Sequence, residues 1–221
     1  MSKVISKIRC YNPSFKNTPQ GNKNHLYYIA RRNMAISNEK GVSTFGEIDG
    51  INVQEAHLKE IAKEITRKSV RKTNIYRGII SLKESDALKL GYYKQYNWKE
   101  LMQRRVYDIA KELGISPLNT QWVAVVHMKK GNPHLHYMLW DKDQKINSYF
   151  ITTKQQCKVR ELLTKDIFED ELQEYYEIQN DIKSKFRSNV IALEIKAFDK
   201  GACIGKVPYI NYSNSELKEI M

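Results

Sequence analysis

The stretch WVAVVHMKKGNPHLHYMLW, residues 122–140, decides how this chain is read. Its ends, 122–127 and 134–140, are short apolar runs rich in Val, Leu and aromatic residues, the composition of buried strands. Gly131, Asn132 and Pro133 interrupt them, so they read as two strands joined by a six-residue connection. Side chains alternate along a strand, so His134 and His136 project from one face. If the runs pair as an antiparallel hairpin, His127 sits opposite His134 and all three imidazoles share that face. A slip of one residue would send His127 to the other side.

Three polar rings buried without partners would be costly, so packing is a poor reason for them. Three neutral imidazoles on a rigid sheet can hold one divalent ion and leave its other coordination positions open, as a catalytic site requires. Zn²⁺, Mn²⁺, Ni²⁺ and Cu²⁺ all suit such ligands. A carboxylate is expected to orient at least one ring. No acidic residue claims that role: Asp141 shares strand parity with Leu135 and Tyr137, and Asp86 and Glu47 have no better support.

Working outward, 3–10 reads as a first strand, about 22–33 as a helix and 41–50 as a loop or short hairpin ending in Asp49-Gly50. Asn52 with Glu55 resembles a capping box ahead of the apolar stripe Leu58, Ile61, Ala62 and Ile65. YRGIISL (76–82) is a buried strand, followed by a short helix at about 84–90. Asn97 with Glu100 repeats the capping pattern before a helix that Gly114 and Pro117 end. A long helical region covers about 153–186, and 189–198 reads as one more strand. Ser213 with Glu216 opens another helix close to Met221, so the chain is expected to be the N-terminal part of a longer protein. Residues 1–221 are expected to form one domain, with about 187–221 as a C-terminal appendage. Strands interleaved with helices indicate a sheet covered by helices.

The composition, 41% hydrophobic over 221 residues, suits a folded chain with a sizeable core. No apolar run reaches the ~18–20 residues that cross a membrane. The start, MSKVISKIRCYNPSF, is no signal peptide, and a cytoplasmic location is expected. Cys10, Cys157 and Cys203 show no pairing or zinc spacing. The formal charge of +12 favours a polyanionic partner.

The segment HLYYIARR (25–32) places His25, Tyr28 and Arg32 at helical spacing. Its bland reading is an amphipathic helix with aromatics in the core. Beside a metal and a basic surface, a tyrosine here could attack a phosphodiester whose charge the metal and nearby arginines relieve.

These residues resemble the HUH endonucleases, and among them relaxases of the MOBP class. Tyr28-Ile29-Ala30-x-Arg32, Tyr76 to Leu82, Asp86-Ala87 and Gly91-Tyr92 most resemble the MobL branch. The resemblance runs from about residue 5 to 185 and implies an α+β fold, a palm-like, mainly antiparallel central sheet of about five strands covered by helices. It implies His127, His134 and His136 as metal ligands and Tyr28 as nucleophile, with Arg32 beside it. Tyr27 is the competitor, and a histidine nucleophile would fall on His25. One divalent ion is implied, Mn²⁺ or Mg²⁺ ahead of Zn²⁺ or Ni²⁺. The substrate would be one DNA strand at the nic site of a plasmid transfer origin, with accessory relaxosome proteins and a type IV coupling protein as partners. Arg31, Arg67, Lys68, Arg71, Lys72, Lys129 and Lys130 are the expected DNA contacts. A rolling-circle replication initiator, a metal-dependent phosphoesterase and a non-catalytic DNA-binding accessory protein are the alternatives.

Overall fold

The computed structural model describes residues 4–11, 18–38, 41–53, 58–143 and 150–199, with side chains of the last helix as far as 192. Contacts divide the chain into two units, Met1–Glu169 and Asp170–Met221. The first is built on a six-stranded sheet, and every pairing in it is antiparallel. Its strands are β1 (Ile5–Tyr11), β2 (Thr44–Ile48), β3 (Ile51–Asn52), β4 (Ile75–Ser81), β5 (Thr120–His127) and β6 (His134–Asp141). They lie in the order β1-β4-β6-β5-β2-β3, so the hairpin of β5 and β6 occupies the centre and β1 an edge. The sixth strand is β3, two residues folded back from β2. Asp49 (φ 51°) and Gly50 (φ 75°) make that turn, both left-handed as a tight hairpin requires.

Among the described residues of this unit five helices accompany the sheet: α1 (Thr18–Ala30), α2 (Leu58–Val70), α3 (Glu84–Lys89), α4 (Gln95–Glu112) and α5 (Thr153–Ile167); the described part of the second unit is helix, α6 (Glu169–Asp199). On one face, Ile8, Ile80, Trp122, Ala124, Leu135, Tyr137 and Leu139 pack against Trp98, Leu101, Met102, Val106 and Ile109 of α4 and Val159, Leu163 and Ile167 of α5. On the other, Ile75, Val123, Val125, Met138 and Trp140 pack against Leu26 and Ile29 of α1 and Ile61 and Ile65 of α2. The apolar positions of α2 recur at helical spacing, which is why that helix lies flat on the sheet.

Several local expectations change. The helix expected at about 22–33 runs from Thr18 to Ala30. The capping box at Asn97 and Glu100 does not form, because α4 starts a turn earlier at Gln95 with no side-chain cap. Asn97 instead donates to the Gly91 carbonyl, and Tyr96 donates to Glu100. The long helical region breaks at Phe168. The strand expected at 189–198 is helix as far as Asp199, since residues 170–199 continue one uninterrupted helical run. Glu55, Ser213 and Glu216 lie outside the described residues. No helix among the described residues is long and apolar enough to cross a membrane.

Candidate active site

The register of the central hairpin sets His127 opposite His134, so those two rings and His136 emerge together on the face that carries α1 and α2. Their ring centroids are 4.8–5.2 Å apart in pairs, and one nitrogen from each lies within 4.8 Å of the others. An ion held at ~2.0–2.1 Å from each nitrogen would draw the three to roughly 3–3.5 Å of one another. The connection 128–133 is firmly held. Gly131 (φ 85°) takes a conformation few side chains tolerate, its N–H donates to the Glu84 carboxylate at 2.9 Å, and Leu82 N–H donates to the Pro133 carbonyl. Past α1 the chain returns alongside β5: Ala35 bridges His127 and Ile36 N–H donates to Val126.

The expected orienting carboxylate is replaced by two backbone carbonyls. His127 Nε2 donates to the Ile29 carbonyl at 2.6 Å, and His134 Nδ1 donates to the Asn132 carbonyl at 2.8 Å. A carbonyl can only accept, so those nitrogens carry the protons and leave His127 Nδ1 and His134 Nε2 with lone pairs. Burial lowers the pKa of all three rings, and Arg32 adds to the shift in each. His136 is driven furthest, to about 3, by burial and then by the other histidines. All three are therefore neutral at pH 7, the state that binds metal. These donors fit one divalent ion, with His127, His134 and His136 as its protein ligands.

The last turn of α1 is part of the site, since its Ile29 carbonyl is His127's partner. Tyr28 is 50% exposed and its ring stacks near His25, with centroids 6.3 Å apart. His25 in turn meets His136 edge-on at 6.1 Å. Burial, Arg77 and His127 lower the His25 pKa to about 4. The Arg32 guanidinium lies over the Tyr28 ring at 4.4 Å. Tyr27, about 100° round the helix, packs against the core beside Leu26 and Ile29 instead, with Arg31 over its ring at 4.5 Å.

The expected DNA contacts scatter. Lys129 and Lys130 are exposed on the connection that leads into His134, and Arg31 is exposed at the end of α1. Lys68 is buried, donating to the Lys142 carbonyl at 2.8 Å, and Arg67 makes a two-pronged pair with Glu64. Arg71 and Lys72 are exposed just before β4. Ile75, which starts that strand, pairs with Trp140 at the end of β6 opposite to His134. At about 3.4 Å per residue, that separates the α2 group from the imidazoles by roughly 20 Å. Glu84 and the two carbonyls were not foreseen: a backbone acceptor leaves no trace in residue type, and Glu84 acts across a loop.

A family model described as relaxase, MobA/VirD2-like, nuclease domain, matches residues 28–168. The matched region begins at Tyr28 and contains all three histidines. No curated protein and no solved structure matches the chain.

Proposed function

The chain belongs to the relaxase family, MobA/VirD2-like nuclease domain, and from that premise we propose that it nicks one DNA strand at a plasmid transfer origin through Tyr28, initiating mobilisation. The observation that carries this reading is the joint between α1 and the histidines. The Ile29 carbonyl fixes His127, while the adjoining Tyr28 stands half exposed beside His25 and His136.

A divalent ion on the three imidazoles, Mn²⁺ or Mg²⁺ by preference, would draw charge from the non-bridging oxygens of the scissile phosphate. Arg32, whose guanidinium lies over the Tyr28 ring, would stabilise the negative charge that grows as the phenol oxygen approaches phosphorus. The Tyr28 oxygen bonds to phosphorus, the bond from phosphorus to the 3′ oxygen breaks, and the phenol proton ends on that oxygen. A 5′-phosphotyrosyl link and a free 3′-hydroxyl result. One phosphodiester replaces another, so the step reverses without an energy source. Relaxosome proteins and a coupling protein would act on this covalent complex.

Single-stranded oligonucleotides from the surrounding plasmid, incubated with Mn²⁺ and run on a denaturing protein gel, test the reading. The labelled 3′ fragment should migrate with the protein, and EDTA should abolish the adduct. Tyr28→Phe should lower adduct formation by at least about 10³-fold, as expected when a nucleophile is removed, whereas Tyr27→Phe should retain it. An adduct that survives Tyr28→Phe but not His25→Ala would move the nucleophile. Cleavage with no adduct would make the protein a phosphoesterase.

A further inference from the structure

The face of the sheet that carries the histidines is only partly covered. Helices α1 and α2 close it over Val123, Met138 and Trp140, yet the same face of β1 is open: Ile5 is 51% exposed, and Lys7 and Arg9 are exposed beside it. The alternate residues Ser6 and Ile8 are buried on the opposite face. Register ties this open strip to the site. Lys7 pairs with Ile79, which pairs with His136, and Ile5 pairs with Ser81, which pairs with His134. At about 4.8 Å between strands, Lys7 is two strands, or roughly 10 Å, from His136 on the central strand β6.

One row further along, Arg9 pairs with Arg77 of β4. The Arg77 guanidinium is rigidly placed. It donates from Nε and Nη2 to the Asn22 Oδ1 at 3.0 and 2.6 Å, and lies 3.6 Å from the centre of the Tyr11 ring. Asn22 is itself fixed by donating to Ser69 Oγ. Burial lowers the Arg77 pKa, and among the described residues no carboxylate pairs with Lys7, Arg9 or Arg77. Charges on an edge strand often serve only to prevent strand-to-strand aggregation. That accounts for Lys7 and Arg9, but not for a half-buried arginine on the second strand, aligned in advance and lacking an anion.

We infer that the open face of β1, with Lys7, Arg9 and the adjoining Arg77, is the track on which the sugar-phosphate backbone of the single strand flanking the scissile phosphate lies. The cations take phosphates, Ile5 and Ile79 offer an apolar floor for sugars and bases, and the track leads to His136. Single-strand binding surfaces combine these elements, and the contacts would be independent of sequence. The inference rests on the proposed nicking function and assigns that site's approach path to β1 rather than α2.

Fluorescence anisotropy of a labelled single-stranded oligonucleotide, with the full chain in EDTA across a salt series, tests it. The double variant Lys7→Ala/Arg9→Ala should bind more weakly on every sequence and lower the slope of log K against log salt by about 1.4, two phosphates at about 0.7 each. Lys59→Ala/Lys63→Ala removes the same charge from the exposed side of α2 and should leave the slope unchanged. Equal losses in the two variants, or a larger one on α2, would overturn the track while adduct formation by the parent chain keeps the function. A parent chain that neither binds a single strand nor forms an adduct would overturn both.

Discussion

On the α4–α5 side of the sheet, the inward positions of the central hairpin are Trp122, Ala124 and Val126 facing Leu139, Tyr137 and Leu135. On the α1–α2 side the same two strands carry Val123, Val125, Met138 and Trp140, then end in His127, His134 and His136. Both sides have polar atoms in dry surroundings, but the atoms are used differently. At the far end of the α1–α2 side, Trp140 Nε1 donates to Gln121 Oε1 at 2.7 Å, and Gln121 donates to Asp49, so the polarity is consumed within the fold. At the histidine end two rings spend their protons on carbonyls and keep a lone pair each on the other nitrogen, within one cluster of three imidazoles. Core positions given to groups with unused ligand capacity are what separates a site from a core.

The largest effect expected from this contrast falls on activity. His136→Ala should lower nicking by well over about 100-fold, since even neighbours that only orient a metal ligand are worth about 10–100-fold. The metal-free fold should tolerate it. Acid stability gives a second readout. The folded pKa of His136 is about 3 against an unfolded value of 6.5. Above pH 6.5 both states are neutral and nothing is lost. Between 6.5 and 3 the unfolded chain binds the extra proton, so the metal-free protein loses stability as pH falls, by about 1.4 kcal/mol per unit and per proton at most. His136→Ala should make that fall shallower in thermal melts run in EDTA. An unchanged pH profile would mean that the ring is not held neutral by its burial.

On the other side, tolerance should be lost and activity per folded molecule retained. Gly78 of β4 faces Tyr137, and a Cβ added there would lie 2.0–2.4 Å from the tyrosine ring. Its backbone is ordinary, so the requirement is for space alone. Gly78→Ala has to displace a fully buried aromatic and should cost about 3 kcal/mol, the upper range for overpacking. Urea denaturation at fixed pH measures it. A loss below about 0.5 kcal/mol would show that Tyr137 has room to move.

The contrast also explains what could be read from residue order. The triad was legible because strand alternation and hairpin pairing are local: His127, His134 and His136 are brought together by one connection. The end of α1 was legible for the same reason, as Tyr28 and Arg32 are one turn apart and their side chains meet. Of strand β3 only the Asp49-Gly50 turn of a short hairpin was legible, since its two residues pair with Glu47 and Ile48 through that turn rather than by any apolar pattern. The run at 189–198 misled because a short apolar stretch suits helix and strand equally. The β1 track needed Arg9 set against Arg77, a pairing between distant segments that no periodicity announces. Arg67, Lys68, Arg71 and Lys72 were conspicuous in the sequence, yet Lys68 is used inside the fold and the others stand at the other end of the sheet.

The smallest effect sharpens the contrast most. The Tyr137 hydroxyl is buried on the α4–α5 side with no hydrogen-bond partner among the described residues, and burial raises its pKa strongly. A polar atom left alone in a core carries its full desolvation cost, typically about 1–3 kcal/mol, with nothing to offset it. Were this oxygen part of a site, some ligand or proton donor would have to reach it, and here the ring is walled in by Gly78 and the apolar cluster around it. Tyr137→Phe keeps the ring and its packing while removing only that oxygen. It should leave adduct formation unchanged and raise stability by about 1 kcal/mol, read as a higher urea midpoint at constant m-value. Destabilisation instead would reveal a hidden partner for the hydroxyl, and with it a polar function on the face that otherwise serves only to pack.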